Sequence, residues 1–236
     1  MNQLNQLQNA LKKLGNAKRA ADSARFFKTS KGQYGEGDVF LGITVPVQRQ
    51  IARQYLDLPL TDTLLLLKSK YHEYRFAALE ILVGKFEIGN VQMRKAIYNF
   101  YISHARSINN WDLVDTSARA IAGSWLMDHS KLPLYKLARS SNLWEKRIAI
   151  VATHEFIIQG QYVETLKISK ILFSDSHDLL HKAVGWMLRE VGKKDQKVLE
   201  QFLKENYTNI PRTTLRYAIE RFPEKLRKRY LSGVLK

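Results

Sequence analysis

The sequence predicts an all-α fold made of stacked helix pairs, and three observations carry that expectation. Apolar residues recur at helical spacing almost throughout, as in Tyr74, Ala77, Ala78, Ile81, Leu82 and again in Ile148, Val151, Ala152, Phe156. No alternating stretch is long enough to make a useful strand. The five prolines, at 46, 59, 133, 211 and 223, each stand at the start of an amphipathic stretch, where a missing N–H costs a helix nothing.

Taken in order, helices are expected over 2–15 and 18–29, followed by a glycine-bearing stretch. Pro46 opens 46–56, and Pro59 stands before 61–69, whose run from Leu64 to Leu67 reads as a buried contact between helices. Next come 72–86, 91–106 and 111–128, the last capped by Asn110, and then 131–139, which contains Pro133. The remainder divides into 143–159, 162–173, 177–192, 195–206, 212–221 and 224–231, the last two introduced by Pro211 and Pro223. Connections of mostly two to six residues favour antiparallel neighbours.

A weak repeat underlies this pattern. Tyr74-Arg75-Phe76-Ala77, Lys146-Arg147-Ile148-Ala149, His181-Lys182-Ala183-Val184 and Leu215-Arg216-Tyr217-Ala218 each place a basic residue before small and apolar ones. Arg75 and Arg147 are 72 residues apart, Arg147 and Lys182 are 35 apart, and Arg216 follows 34 later, a period of about 36. Such a period reads as helix pairs of the HEAT kind, one domain over 1–236 that curves into a superhelix with a concave face. Arg75, Arg147, Lys182 and Arg216 then line that face. The alternative is an irregular bundle with coincidental spacing.

At 236 residues and 45% hydrophobic content the chain can bury a core without a staple. The absence of cysteine excludes disulfides, thiolate metal sites, iron–sulfur clusters and cysteine nucleophiles, and fits a reducing cytoplasm. Residues 1–14 carry three Gln and three Asn where a signal peptide needs a continuous apolar stretch. No window approaches the roughly eighteen apolar residues of a membrane span. A soluble, cytoplasmic monomer is expected.

The net charge of +16 sits at the two ends. Residues 1–31 hold seven Lys or Arg against one acid, and residues 182–236 hold fourteen against six, so the ends account for +14. A field concentrated in this way attracts a polyanion, most commonly a phosphate backbone. An acidic protein or anionic lipid is the alternative partner.

The least ordinary stretch is Asn110-Trp111-Asp112-Leu113-Val114-Asp115. Asn110 can cap a helix starting at Trp111, and Asp112 then lies in the first turn, where the helix dipole favours an anion. Asp115 lies four residues beyond Trp111, so a ring and a carboxylate share one helix face within an apolar run. Either a capping or ion-paired acid or a functional carboxylate fits that position.

Trp111-Asp112-Leu113-Val114-Asp115, Trp144-Glu145-Lys146-Arg147 and Lys182-Ala183-Val184-Gly185-Trp186-Met187-Leu188-Arg189, with Phe40-Leu41-Gly42-Ile43 leading through Pro46 to Arg49, together resemble the bacterial DNA alkylation repair glycosylases built from HEAT-like repeats. The similarity is spread from about Ala24 to Arg189. The resemblance implies Asp115 as the catalytic carboxylate, Trp111 as the aromatic residue beside the lesion, Arg147 as a cleft arginine holding DNA backbone, and Trp186 as a second aromatic wall. Phe26, Arg75, Lys182, Arg189 and Arg216 are expected to contact DNA. The partner implied is double-stranded DNA, alkylated or distorted, with no cofactor or metal.

Two positions depart from the family pattern. Phe26 stands where one member of the family has a tyrosine, and the stretch Lys28 to Asp38, with Gly32, Gly35 and Gly37, is longer than in that member and invites a turn or short hairpin. The departures keep a second role open, a non-catalytic member that binds branched or distorted DNA.

Other groups carry plainer expectations. The three glycines match neither nucleotide-binding spacing. His177 and His181 lie four apart without a third ligand at metal spacing, which leaves phosphate contact as their alternative role. Trp125 and Trp144 are expected in the core. Lys225, Arg227, Lys228 and Arg229 form either a solvated face or a phosphate grip.

Overall fold

A computed structural model describes residues 2–233, and within them all extended regular structure is helical apart from one isolated parallel bridge between Val39 and Tyr71. The chain divides into two compact units, one ending at Ile121 and the other beginning at Ala122. No helix among the described residues is long and apolar enough to cross a membrane.

The first unit contains α1 (Gln3–Lys13), α2 (Ala17–Phe26), α3 (Val45–Ala52), α4 (Leu60–Leu67), α5 (His72–Ile88), α6 (Val91–Ser103) and α7 (Trp111–Ala118). Asn2, Asn16, Asn90 and Asn110 cap α1, α2, α6 and α7, each side chain accepting a backbone N–H that the first turn leaves unpaired. The centre is α5, packed against α1, α3, α4, α6 and α7. Its residues 72–79 are all buried, as expected of a helix enclosed on every side. The leucine run of α4 divides: Leu66 and Leu67 are fully buried, whereas Leu65 is 59% exposed, because a helix cannot turn four consecutive residues inward.

The second unit contains α8 (Ser124–Leu126), α9 (Leu132–Ala138), α10 (Leu143–Ala152), α11 (His154–Ile158), α12 (Val163–Leu172), α13 (Asp178–Lys194), α14 (Gln196–Asn206), α15 (Arg212–Ala218) and α16 (Glu224–Ser232). Here α13 is central, packed against α10, α11, α12, α14 and α15. Trp144 is buried as expected; Trp125 is only half-buried and stacks on His129 at 4.0 Å.

Two expected helices are interrupted. The stretch 143–159 breaks at Thr153, whose hydroxyl donates to the Ile150 carbonyl at 2.7 Å and competes with the helical ladder. The stretch 111–128 passes through a π turn at Arg119–Gly123, a wider winding that sequence periodicity does not reveal.

Gly185 accounts for the glycine in Lys182-Ala183-Val184-Gly185-Trp186. A Cβ there would lie 2.5 Å from Tyr217 Cβ and 2.7 Å from the Thr214 carbonyl oxygen, so α13 and α15 meet at van der Waals distance only without a side chain. Gly185→Ala gains helix propensity of up to about 1 kcal/mol. Forcing two backbones apart costs about 1–3 kcal/mol. The expected net result is a lower urea midpoint; an unchanged or raised midpoint means that the contact is soft.

Candidate active site

Trp111 begins α7, its N–H donating to Asn110 Oδ1 at 2.8 Å. Phe27 covers one face of its ring, stacked at 5.3 Å and 17°, while Phe26 meets it edge-on at 6.0 Å and is itself 66% exposed. The stack continues from Phe27 to Phe40 at 5.0 Å and from Phe40 to His72 at 4.6 Å. The segment that places Phe40 is fixed by Glu73, whose buried carboxylate accepts the N–H groups of Leu41, Gly42 and Ile43. Gly42 has φ +80°, and a Cβ there would stand 2.3 Å from the Asn16 carbonyl oxygen, so the motif requires glycine twice over.

Behind the rings lies a charged network absent from the sequence-based expectations. His72 bonds Asp112 through Nε2 at 2.7 Å and Asp38 through Nδ1 at 3.2 Å. Asp38 also pairs with Arg75 at 2.6 Å and accepts from Asn110 Nδ2 at 3.1 Å. Burial pushes the His72 pKa down, but its hydrogen bonds to Asp112 and then Asp38 outweigh that and hold it above the ordinary value of 6.5. Burial pushes Asp38 up, and His72, Arg75 and Asn110 together hold it below 3.8.

These directions fix a pH window. A raised histidine stabilises the fold fully below its unfolded pKa and loses that contribution as pH rises through the folded value; a lowered aspartate stabilises above its unfolded pKa and loses that as pH falls through the folded value. The network therefore contributes most between pH 3.8 and 6.5. Denaturant midpoints of the native protein should decline above that window, and His72→Gln should flatten the decline. An equal slope in both would remove His72 from the effect.

The segment from Lys28 to Asp38 forms turns and no hairpin. Lys28, Gly32 and Gly37 have φ of 53°, 79° and 85°. Gly35 is buried so closely that a Cβ would lie 2.3 Å from the Phe27 carbonyl oxygen, and the Tyr34 hydroxyl donates to the Phe26 carbonyl at 3.4 Å. The loop thus lies against the residues that carry the ring stack.

Asp115 is partly exposed on the same face of α7 as Trp111. Its charge, added to full burial, raises the pKa of Tyr101, whose hydroxyl shares a 2.9 Å hydrogen bond with Ser117. At the next residue of α7, the Thr116 hydroxyl accepts from Arg49 at 3.1 Å and donates to Glu80 at 3.1 Å, and Arg49 pairs with Glu80 at 2.9 Å. This triad anchors the side of α7 next to Asp115.

The structure corrects the expectation for Arg75. It is 4% exposed, paired with Asp38 and donating to the Ser69 carbonyl at 2.8 Å, so its guanidinium secures the loop end and offers no open surface to a duplex. In the second unit Arg147 is likewise buried, at 5% exposure, and donates to the Leu179 carbonyl at 2.6 Å, which ties α10 to the start of α13. An arginine so enclosed is not an open backbone grip.

The other expected residues of the second unit are accessible. Trp186 is partly exposed, its Nε1 donating to Glu190 at 3.1 Å and its ring edge-on to His154 at 5.7 Å. Lys182 pairs with Asp178 at 2.7 Å, and Arg189 pairs with Glu220. Arg216 is exposed, as are Lys225, Arg227, Lys228 and Arg229, of which Lys228 pairs with Glu224 at 2.7 Å. His177 caps α13 by accepting the Leu179 N–H at 3.2 Å, and among the described residues no group of three or more His, Asp or Glu could hold a metal ion.

The family model described as DNA alkylation repair enzyme matches residues 7–222. Among solved structures that resemble the chain is one described as a predicted DNA alkylation repair enzyme from Enterococcus faecalis, with a TM-score of 0.68 and 18% identity, covering 89% of this chain and 97% of that one. At that identity the likeness speaks for the fold. No curated protein sequence matches the chain significantly.

Proposed function

The chain belongs to the DNA alkylation repair enzyme family, and from that premise we propose that it is an N-glycosylase releasing cationic N3- or N7-alkylpurines from double-stranded DNA, with Asp115 as the carboxylate. The observation that carries this is the pairing on one face of α7 of a partly exposed carboxylate with a tryptophan ring whose other side is already stacked on Phe27.

Few groups are needed. An alkylated purine carries positive charge, so breaking the bond from C1′ to the base nitrogen sends the electron pair to the base and leaves it neutral, with no general acid required. The sugar becomes oxocarbenium-like. A carboxylate beside C1′ stabilises that charge and can accept the proton of the water that adds there. Trp111 favours a cationic base through its π face, an interaction of about 0.5–2 kcal/mol that a neutral purine lacks. Trp186 would serve as a second aromatic surface, and Lys182, Arg189, Arg216 and the exposed Phe26 as DNA contacts.

The packing of the loop from Lys28 to Asp38 against Phe26 and Phe27 favours a second role, a non-catalytic protein that holds branched or distorted DNA. Incubation with duplex DNA carrying N7- or N3-methylpurine separates the two. Release of base that Asp115→Asn abolishes supports the glycosylase. Tight junction binding with no release by the native protein supports the second role.

A further inference from the structure

Two polar clasps join α5 to α7, and the second of them holds an arginine that the function proposed above does not use. His72, Phe76 and Glu80 follow one another at four-residue spacing along α5, as Asp112 and Thr116 do along α7. His72 meets Asp112 in the first clasp, and Glu80 meets Thr116 in the second. Arg49, on α3, closes the second: its Nε donates to Glu80 at 2.9 Å and its Nη2 to the Thr116 hydroxyl at 3.1 Å. Its Cζ lies 5.9 Å from the centre of the Phe76 ring.

These contacts occupy one edge and one face of a planar guanidinium, whose five N–H donors form a fixed fork. Nε and one N–H of Nη2 are used, which leaves Nη1 and the second N–H of Nη2 side by side on the far edge. No hydrogen bond or ion pair engages Nη1 among the described residues. The Arg49 side chain is 46% exposed, whereas Glu80 behind it is 14% exposed and Phe76 is buried. The guanidinium therefore turns its engaged edge to the protein and its free edge outward, unlike the enclosed Arg75 and Arg147.

We propose that Arg49 is a fixed anchor for one phosphodiester of DNA, the phosphate beside the sugar that Asp115 faces, a placement that rests on the function proposed above. Two parallel N–H groups match two non-bridging phosphate oxygens, a bidentate geometry that lysine does not offer. Arg49 is tied to Thr116, the residue directly after Asp115, and consecutive Cα atoms lie about 3.8 Å apart. The charge answers a need of the site. Each DNA strand carries one negative charge about every 3.4 Å, so a carboxylate brought to a sugar meets neighbouring phosphates of its own sign. A guanidinium beside it offsets that repulsion. Because Glu80, Thr116 and Phe76 already hold the side chain, little rotamer freedom is lost when the phosphate arrives. Arg49 is thus a positioning residue, which sets the register of the strand against Asp115 and takes no part in bond breaking.

The test is binding of the full chain to duplexes with one tetrahydrofuran abasic analogue, which has no base to release, and with single phosphates around it replaced in turn by uncharged methylphosphonate. For the native protein, neutralising one flanking phosphate is expected to weaken binding about tenfold. Arg49→Gln should reduce that effect to about twofold or less and lower the slope of log affinity against log salt by about one. Lys95→Gln, at an exposed position of α6, should change neither. Arg49→Lys keeps the charge without the fork, so it should keep the slope and lose the positional preference; it carries the test if circular dichroism shows Arg49→Gln unfolded. A native protein indifferent to every flanking phosphate, a folded Arg49 variant that keeps the preference, or an equal loss in Lys95→Gln overturns the anchor. Base release is measured separately on methylated duplex. An Arg49-dependent phosphate without release removes the glycosylase reading and leaves the contact standing; release without such a phosphate does the reverse.

Discussion

Asp115→Asn is expected to lower the rate of alkylpurine release by about 10²–10³-fold under single-turnover conditions while leaving duplex affinity nearly unchanged. The substitution keeps size, exchanges one acceptor oxygen for a donor amide and removes the charge, which acts on the sugar only as positive charge develops in the transition state. Binding of the ground state should not depend on it. Thermal midpoints should stay within a few degrees, because Asp115 is partly exposed on α7. If release falls less than about threefold while folding is intact, the carboxylate lies outside the reaction; an Asp115→Asn variant that loses duplex affinity in parallel points to a binding role.

The second large effect concerns stability. Asp38→Asn leaves the Arg75 guanidinium, at 5% side-chain exposure, without its counter-charge and His72, at 3%, without one of its two carboxylate partners. Breaking a buried pair from one side costs about 3–5 kcal/mol. That is a large share of a marginal stability of about 5–15 kcal/mol, and unfolding of the first unit should shift to markedly lower urea. Adding Arg75→Met to Asp38→Asn should recover part of the loss, because the stranded charge is then removed; that coupling is the signature of the pair. A loss below about 1 kcal/mol in the single variant would mean that water reaches Arg75.

The helices were legible because their signal is local. The burial of residues 72–79 continues the periodicity of Tyr74, Ala77, Ala78, Ile81 and Leu82, and Asn110 caps α7 at the expected place. Family membership was legible from dispersed motifs, and two of their glycines prove to be sites of backbone approach, Gly42 against Asn16 and Gly185 against Thr214.

Arg75 shows where legibility ended. A basic residue at a repeated position looks the same whether it faces solvent or a buried acid, and the acid here, Asp38, lies 37 residues earlier in a loop. His72 was missed for the same reason, since its two partners are 34 and 40 residues away. Phe27 was overlooked beside Phe26 because helix phase alone does not say which of two adjacent rings turns inward at a helix end. Asp112 had a local explanation in the helix dipole, and the pairing with His72 adds a long-range one.

The ring of Trp111 is backed by Phe27 and therefore has at most one side for a planar partner. Such a ring is a floor and cannot by itself be a pair of jaws. On the function proposed above, a planar cation would settle on that floor, and its residence there would be governed by how strongly the cation is held. Slowing the loop or the neighbouring helices should then change how long a damaged site is retained far less than removing its positive charge would.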